Sequence, residues 1–107
     1  MKKDITFRPR ARGDVVKQHA WYVDQFAYRA AERFVDSVRT STETIADNPK
    51  IGTGVEAANP RLQGLRSWPV KGYEAIRIYY LETKTTIDVV RILHGFRDVE
   101  SLLKGER

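Results

Sequence analysis

The sequence predicts an α+β protein: an N-terminal strand, an antiparallel α-helical hairpin packed on a small twisted antiparallel β-sheet, and a short C-terminal helix. Two observations lead to this prediction. Residues 11–47 carry apolar side chains at helical spacing, and residues 65–94 form three strand-like segments after an irregular stretch. Because helices and strands occupy separate parts of the chain, the helices are expected to cover one face of the sheet.

Two apolar stripes predict two helices after a short strand at Asp4–Phe7. The first stripe consists of Val16, Ala20, Val23 and Ala27, widened by Val15, His19, Tyr22 and Phe26. The second consists of Phe34, Val38, Ser41 and Ile45, flanked by Ala31 and Val35. One helix over residues 11–47 would be about 55 Å long, too long for a domain of this size. We therefore expect the chain to reverse between Asp24 and Tyr28.

Three strand-like segments follow the irregular stretch at residues 51–64. They are Leu65–Val70, Ala75–Leu81 and Thr86–His94. The last is β-branched and apolar on both faces, as in a central strand. Short connections between the segments favour antiparallel hairpins. The tail from Asp98 to Leu103 is expected to form one or two helical turns, with Asp98 as the N-cap.

The composition limits the classes of function. A length of 107 residues suits one domain spanning residues 1–107. No apolar run approaches the roughly 18 residues of a membrane span, and the start lacks the apolar segment of a signal peptide. The chain has no cysteine, which excludes thiol catalysis and makes a cytoplasmic location the simplest expectation. Neither a phosphate-binding glycine loop nor a metal-ligand spacing is present, so we expect no cofactor and no metal.

The net charge of +5 is unevenly distributed. Residues 1–13 hold five Lys or Arg against one acid, whereas residues 14–48 are mildly negative. Residues 57–81 hold four basic residues against one acid. A positive region attracts nucleic acid or an acidic protein by long-range electrostatics, and charge alone does not choose between them.

His94 ends the last predicted strand and is the natural candidate for a general base near neutral pH. The structural alternative is a histidine that donates to a nearby carbonyl or to Asp98. Because the sequence shows no nucleophile or acid partner for it, the structural interpretation is favoured. His19, on the apolar side of the first helix, is expected to be a packing residue.

Arginines and aromatic residues accompany the strands. The arginines are Arg66, Arg77, Arg91 and Arg97, and the aromatic residues are Trp68, Tyr73, Tyr79 and Tyr80. If the arginines share the sheet face away from the helices, they form a cluster able to clamp phosphates or carboxylates. The alternative is a solvated face paired locally with acids such as Glu74, Asp88 or Asp98. Aromatic residues beside basic ones also occur in nucleic-acid binders, although no defined RNA-binding signature is present.

Seven short motifs, in order over about a hundred residues, resemble the RelE/ParE superfamily of type II toxin–antitoxin toxins, and the ParE branch in particular. They are Ala11-x-x-Asp14-Val15, Tyr22-Val23, Ala31-x-x-Phe34, Asn48-Pro49-x-x-Gly52, Leu65-Arg66-x-x-Pro69-Val70, Tyr73-x-x-Ile76-x-x-x-Tyr80 and Val90-Arg91-Ile92-Leu93-His94-Gly95-x-Arg97-Asp98. The fold of this superfamily, a helical hairpin against a twisted antiparallel sheet, agrees with the prediction made above from periodicity.

The resemblance implies a bacterial growth-inhibiting toxin that an antitoxin encoded beside it neutralises by direct binding. RelE-like members cut mRNA on the ribosome without metal, by attack of a 2′-hydroxyl on the adjacent phosphate. ParE-like members lack that catalytic set and poison DNA gyrase instead. In a RelE-like enzyme the clamps here would be Arg66, Arg77 and Arg91, with His94 as one proton-transfer group.

A second proton-transfer group is missing where the RelE-like pattern expects it. After His94 the chain has no Tyr or His, and its one Lys, Lys104, lies in the tail helix. The resemblance therefore favours a gyrase-binding toxin with no catalytic residues of its own. The alternatives are a ribosome-dependent endoribonuclease and a non-toxic member that only binds its antitoxin. Candidate partner-binding residues are Arg66, Trp68, Arg77, Arg91, His94 and Arg97.

The expected partners are an acidic antitoxin and DNA gyrase. The antitoxin is expected to cover the exposed sheet edges and the groove of the helical hairpin. Membrane contact is not expected. Direct nucleic-acid binding stays open but is not favoured.

Overall fold

The computed structural model describes residues 2–95 and 99–106, and its elements follow the predicted order. Strand β1 (Asp4–Phe7) leads into helices α1 (Pro9–Asp24) and α2 (Tyr28–Asp47). The sheet and tail consist of β2 (Thr53–Gly54), a single 3₁₀ turn (Pro60–Leu62), β3 (Arg66–Val70), β4 (Tyr73–Glu82), β5 (Thr86–His94) and α3 (Val99–Lys104). The predicted α+β architecture, with its helical hairpin and short C-terminal helix, is confirmed.

The five strands form one sheet in the order β1-β5-β4-β3-β2, so β5 is central, as expected. Strands β2 to β5 pair antiparallel, and β1 adds a parallel pairing in which Asp4–Phe7 lies opposite Thr86–Val89. The residue pattern of Asp4–Phe7 predicts a strand there, but four residues do not indicate which strand it pairs with. The parallel register follows because α1 and α2 together form the long crossover that a parallel pair requires.

The sheet is covered on both faces. The main core lies between the helices and one face, and includes Phe34, Ile45, Ile78, Tyr80 and Ile87. A second cluster lies on the opposite face, beneath the 55–65 segment and α3. Its buried members are Leu62, Leu65, Tyr79, Val90, Leu93 and Leu103. The two-sided burial explains why β5 is apolar on both faces.

The hairpin turn lies where the sequence placed it, at residues 25–27, and has the geometry of a Schellman motif. The amide of Ala27 donates to the carbonyl of Tyr22 at 2.8 Å, and that of Phe26 donates to Val23 at 2.9 Å. Phe26 occupies the left-handed position, with φ 59°. That position usually holds glycine. Because phenylalanine occupies it here, no glycine in the sequence signals this turn.

The predicted apolar stripe of α1 is wrong in part. Tyr22 and Val15 pack against the main core, but Val16 is 67% exposed and Phe26 is 79% exposed. Ala20 is also exposed. Helix α1 packs mainly on α2 and β5, so only a narrow line of its side chains reaches the core. In α2 the predicted stripe is buried, from Ala31 to Ile45.

None of the described helices combines the length and the apolarity that crossing a membrane requires. Phe96, Arg97 and Asp98 lie outside the described residues. The N-cap predicted for Asp98 and the partner-binding role predicted for Arg97 therefore stay predictions.

Candidate functional site

Two of the candidate arginines, Arg66 and Arg77, lie on opposite faces of the sheet. Residues that pair directly across strands share a face. Arg66 pairs with Tyr80 and shares the core face, whereas Arg77 pairs with Pro69 and Leu93 on the opposite face. Both are engaged locally.

Backbone and hydroxyl groups of the chain itself hold these two guanidinium groups. Arg66 Nη1 donates to the carbonyl of Gly52 at 2.8 Å. Arg77 Nε donates to Ser67 Oγ at 2.9 Å, and its Nη2 donates to the Ser67 carbonyl at 3.3 Å. The phosphate clamp that one shared face would provide is therefore not assembled from this pair.

Arg91 forms a largely buried ion pair with Asp14 of α1. Its Nε and Nη2 each donate to one carboxylate oxygen at 2.8 Å, and the two side chains are 11% and 9% exposed. Hydrogen bonding to Asp14 raises the pKa of Arg91, and burial opposes that rise. Arg91 thus fastens β5 to α1.

Asp14 also has a backbone role that explains its position. Its carboxylate accepts a 3.0 Å hydrogen bond from the amide of Ile92. Since β1 pairs only with Thr86–Val89, the outer edge of β5 beyond Val89 has no strand to accept its amides. The carboxylate of Asp14 takes the place of a strand carbonyl there.

His94 is half-buried at the end of β5 and lines a cleft of about 390 Å³. The polar groups around it come from α1: Asp14, Lys17 and Gln18, together with the exposed Trp21. None of Arg66, Arg77 and Arg91 lines this cleft. Of the four residues that a RelE-like mechanism would use, His94 therefore lines this cleft without the three arginines.

The remaining candidates have structural surroundings. Trp68 is half-buried against the main core, where it pairs with Ile78. His19 is half-buried on α1. No cluster of three or more His, Asp or Glu side chains within residues 2–95 and 99–106 is arranged to hold a metal ion.

An apolar groove lies between the helices and β1, and none of the predicted site residues lines it. Its volume is about 420 Å³. It is lined by Ile5, Phe7, Arg12, Val15, Val16, Val35, Val38, Arg39, Thr42 and Glu43. The strand β1 beside it is an edge of the sheet. The sequence did contain one signal for this groove: α1 has more apolar residues than one helix face can bury.

A second unassigned feature is a set of exposed aromatic side chains at the closed end of the hairpin. Trp21 and Tyr28 are 55% and 56% exposed, and Phe26 more so. The rings of Phe26 and Tyr28 lie edge to face with centroids 6.4 Å apart. Exposed apolar surface of this kind typically marks a protein-binding site.

Comparison with known proteins defines the class to which this fold belongs. A solved structure from the chromosomal ParDE toxin–antitoxin system of P. aeruginosa superposes with a TM-score of 0.69, covering 87% of this chain and 96% of that one. The two sequences are 15% identical, so this likeness concerns the fold. Comparison with curated proteins gives no significant sequence match.

The family is shown by the sequence itself. The model of the ParE toxin of the type II toxin–antitoxin system parDE matches residues 5–99. The chain therefore belongs to the ParE toxin family, in the RelE/ParE superfamily, as its motifs predicted.

Proposed function

We propose that this chain is the growth-inhibiting toxin of a ParE-type system, that it binds and poisons DNA gyrase in the cytoplasm, and that an acidic antitoxin neutralises it. The choice of gyrase rests on the family. The observation that carries a protein-binding toxin over a nuclease is the engagement of Arg66, Arg77 and Arg91 in separate internal contacts. Protein-binding surface is available instead, in the exposed aromatic residues and the apolar groove.

Gyrase targeting is tested with the purified chain, relaxed plasmid, ATP and gyrase. We expect inhibition of supercoiling and, after detergent and protease treatment, linear DNA from trapped cleavage complexes. Ribosome-bound mRNA should stay intact. Supercoiling that continues at concentrations that stop growth contradicts the proposal.

A double variant separates this mechanism from RNA cleavage. His94→Gln combined with Arg77→Ala removes a proton-transfer group and a clamp of the RelE-like set. Full growth arrest by this variant, with its fold confirmed by circular dichroism, rules out the endoribonuclease alternative. If the parent chain cleaves ribosome-bound mRNA and the variant loses both cleavage and growth arrest, the endoribonuclease alternative replaces the proposal.

The antitoxin is expected to bind the apolar groove, with acidic side chains towards Arg12 and Arg39 on its rim. The open edge of β1 offers backbone groups to the same partner. Val16→Asp places a carboxylate in the groove at an exposed position, so the fold should persist.

Binding of the antitoxin to Val16→Asp should weaken by roughly tenfold or more, measured by isothermal titration calorimetry. Thr85→Asp, in an exposed turn, is the control with the same change in charge. Equal affinities for the two variants would remove the groove from the interface. If toxicity is retained while binding is lost, the groove serves the antitoxin and not the target.

A further inference from the structure

Glu106, near the end of the chain, carries a carboxylate that is only 5% exposed. Three guanidinium groups surround it, and we call these three residues the arginine cradle. Arg8 Nη1 is 3.7 Å away, Arg10 Nη1 3.8 Å and Arg91 Nη1 3.5 Å. Glutamate is almost never buried without compensating charge. The three guanidinium groups of the cradle therefore compensate the charge of this buried carboxylate.

The guanidinium groups of the cradle also have other acidic partners. Arg8 pairs with Asp88 at 2.9 Å, and Arg91 pairs with Asp14. Among the described residues, Glu106 is the acid whose carboxylate lies within 3.8 Å of all three guanidinium groups.

The Glu106 carboxylate fills this site loosely. All three N–O distances exceed the roughly 2.7–2.9 Å of a close charge-assisted hydrogen bond. A cavity of about 290 Å³ opens beside the carboxylate, lined by Arg8, Pro9, Arg10, Gly105 and Glu106. A tetrahedral oxyanion has more acceptor oxygens than a carboxylate, and it can accept hydrogen bonds from guanidinium groups that approach from several sides.

The tail that carries Glu106 is anchored by one buried side chain and by hydrogen bonds to Asn59. Helix α3 has six residues, too few to be stable alone. Leu103 is buried, and Asn59 Nδ2 donates to the carbonyls of Leu103 at 3.2 Å and Glu106 at 2.6 Å. A cavity of about 320 Å³ lies beside α3 and is lined by Tyr79 and Ser67 of the sheet as well as by Leu103. An external anion would have to displace these contacts of the tail to reach the cradle.

We propose that the arginine cradle is a binding site for a phosphate-type oxyanion and that Glu106 occupies it from within the chain. Phosphate and the tail then compete for the same three guanidinium groups. The proposal is independent of gyrase and of the antitoxin, and its test needs neither.

The first test measures binding of inorganic phosphate by calorimetry at constant ionic strength, with chloride as the balancing anion. Glu106→Gln removes the competing charge and keeps the shape, so we expect phosphate to bind roughly tenfold more tightly than to the parent chain. Glu100→Gln removes an exposed acid of α3 and is the matched control, so it should bind phosphate as the parent does. Adding Arg10→Ala to Glu106→Gln should abolish the gain.

Equal phosphate affinity in Glu106→Gln and Glu100→Gln overturns the proposal. If Glu106→Gln unfolds in chloride, phosphate should restore its circular dichroism spectrum, and failure to do so also counts against the site. Arg10 is 63% exposed, so Arg10→Ala alone should fold and should lose any rise in Tm that phosphate produces in the parent. A rise that survives this change places the phosphate elsewhere.

Two sources of phosphate are distinguished by titrating a short oligodeoxythymidylate alongside inorganic phosphate. Tighter binding of the oligonucleotide to Glu106→Gln, sensitive to Arg10→Ala, identifies a nucleic-acid backbone as the ligand. Binding of inorganic phosphate alone identifies a small-anion site. If neither binds but a glutamate-rich peptide does, the cradle takes protein carboxylates and the phosphate proposal is wrong.

Discussion

A single residue, Tyr80, joins two of the family-like motifs in the structure. Tyr80 Oη donates to the carbonyl of Pro49 at 2.7 Å and accepts from the amide of Gly52 at 2.9 Å. The phenol is buried, so both contacts satisfy groups that water does not reach. The Asn48-Pro49-x-x-Gly52 motif thus ends α2 and forms hydrogen bonds with Tyr80, the last residue of the Tyr73-x-x-Ile76-x-x-x-Tyr80 motif.

Gly52→Ala is expected to destabilise the chain by about 1–3 kcal/mol. An added Cβ would lie 2.5 Å from Tyr80 Oη and 2.9 Å from the carbonyl oxygen of Ser67, so the ring and the strand must move. Gly54→Ala is the control, because its Cβ would meet no atom within 4 Å. Urea unfolding of the two variants measures the difference, and similar midpoints would contradict the packing argument.

Asp14→Asn is expected to lower the free energy of unfolding by about 2–4 kcal/mol, because it leaves the buried guanidinium of Arg91 with less negative charge. Asp36→Asn breaks the exposed pair with Arg39, and there the loss should stay below about 0.5 kcal/mol. Chemical denaturation of both variants gives the comparison. Equal small losses would mean that the Asp14–Arg91 pair contributes little to stability.

Among the elements, the turn between α1 and α2 was predicted correctly, but the interactions that end α1 were not predicted. The length argument required a reversal near residues 24–28, and the structure has it there. The stop itself comes from the Schellman hydrogen bonds and the left-handed Phe26, which residue type alone does not indicate. An exposed phenylalanine in a conformation suited to glycine is costly for the fold.

Phe26→Gly is expected to stabilise the chain by about 0.5–1 kcal/mol, since the left-handed backbone costs glycine little and the exposed ring contributes little packing. Phe26→Ala removes the ring but keeps the backbone cost, so it should show no such gain. Thermal unfolding followed by circular dichroism distinguishes the two. A loss of stability in Phe26→Gly would show that the contact with Tyr28 outweighs the strain.

At the scale of the whole molecule, burial of the sheet on both faces affects the response to pH. Burial raises the pKa of Tyr80 and Tyr79 above the ordinary value of 10.0, while nearby groups, including Arg77 beside Tyr79, partly oppose it. The folded chain therefore holds these phenolic protons more tightly than the unfolded chain. The stability that these two protonated phenols contribute is fully present below about pH 10 and is lost as the pH rises through their folded pKa values.

The free energy of unfolding should fall more steeply with pH above about 10 in the parent chain than in Tyr79→Phe, which keeps the ring in the second cluster. Urea titrations at a series of alkaline pH values measure both slopes. Parallel slopes would mean that ionisation of Tyr79 does not limit alkaline stability.

Patterns along the chain were enough to predict the order of the elements, the reversal near Phe26, the central position of Thr86–His94 and the family. These features follow from local periodicity and from motifs. Folding fixed what the patterns did not: the parallel partner of β1, the exposure of Val16 and the separate contacts of the sheet arginines. It also brought Glu106 to Arg8, far away in the sequence. A side chain's partners depend on which distant segments pack beside it, and periodicity within a segment does not encode those partners.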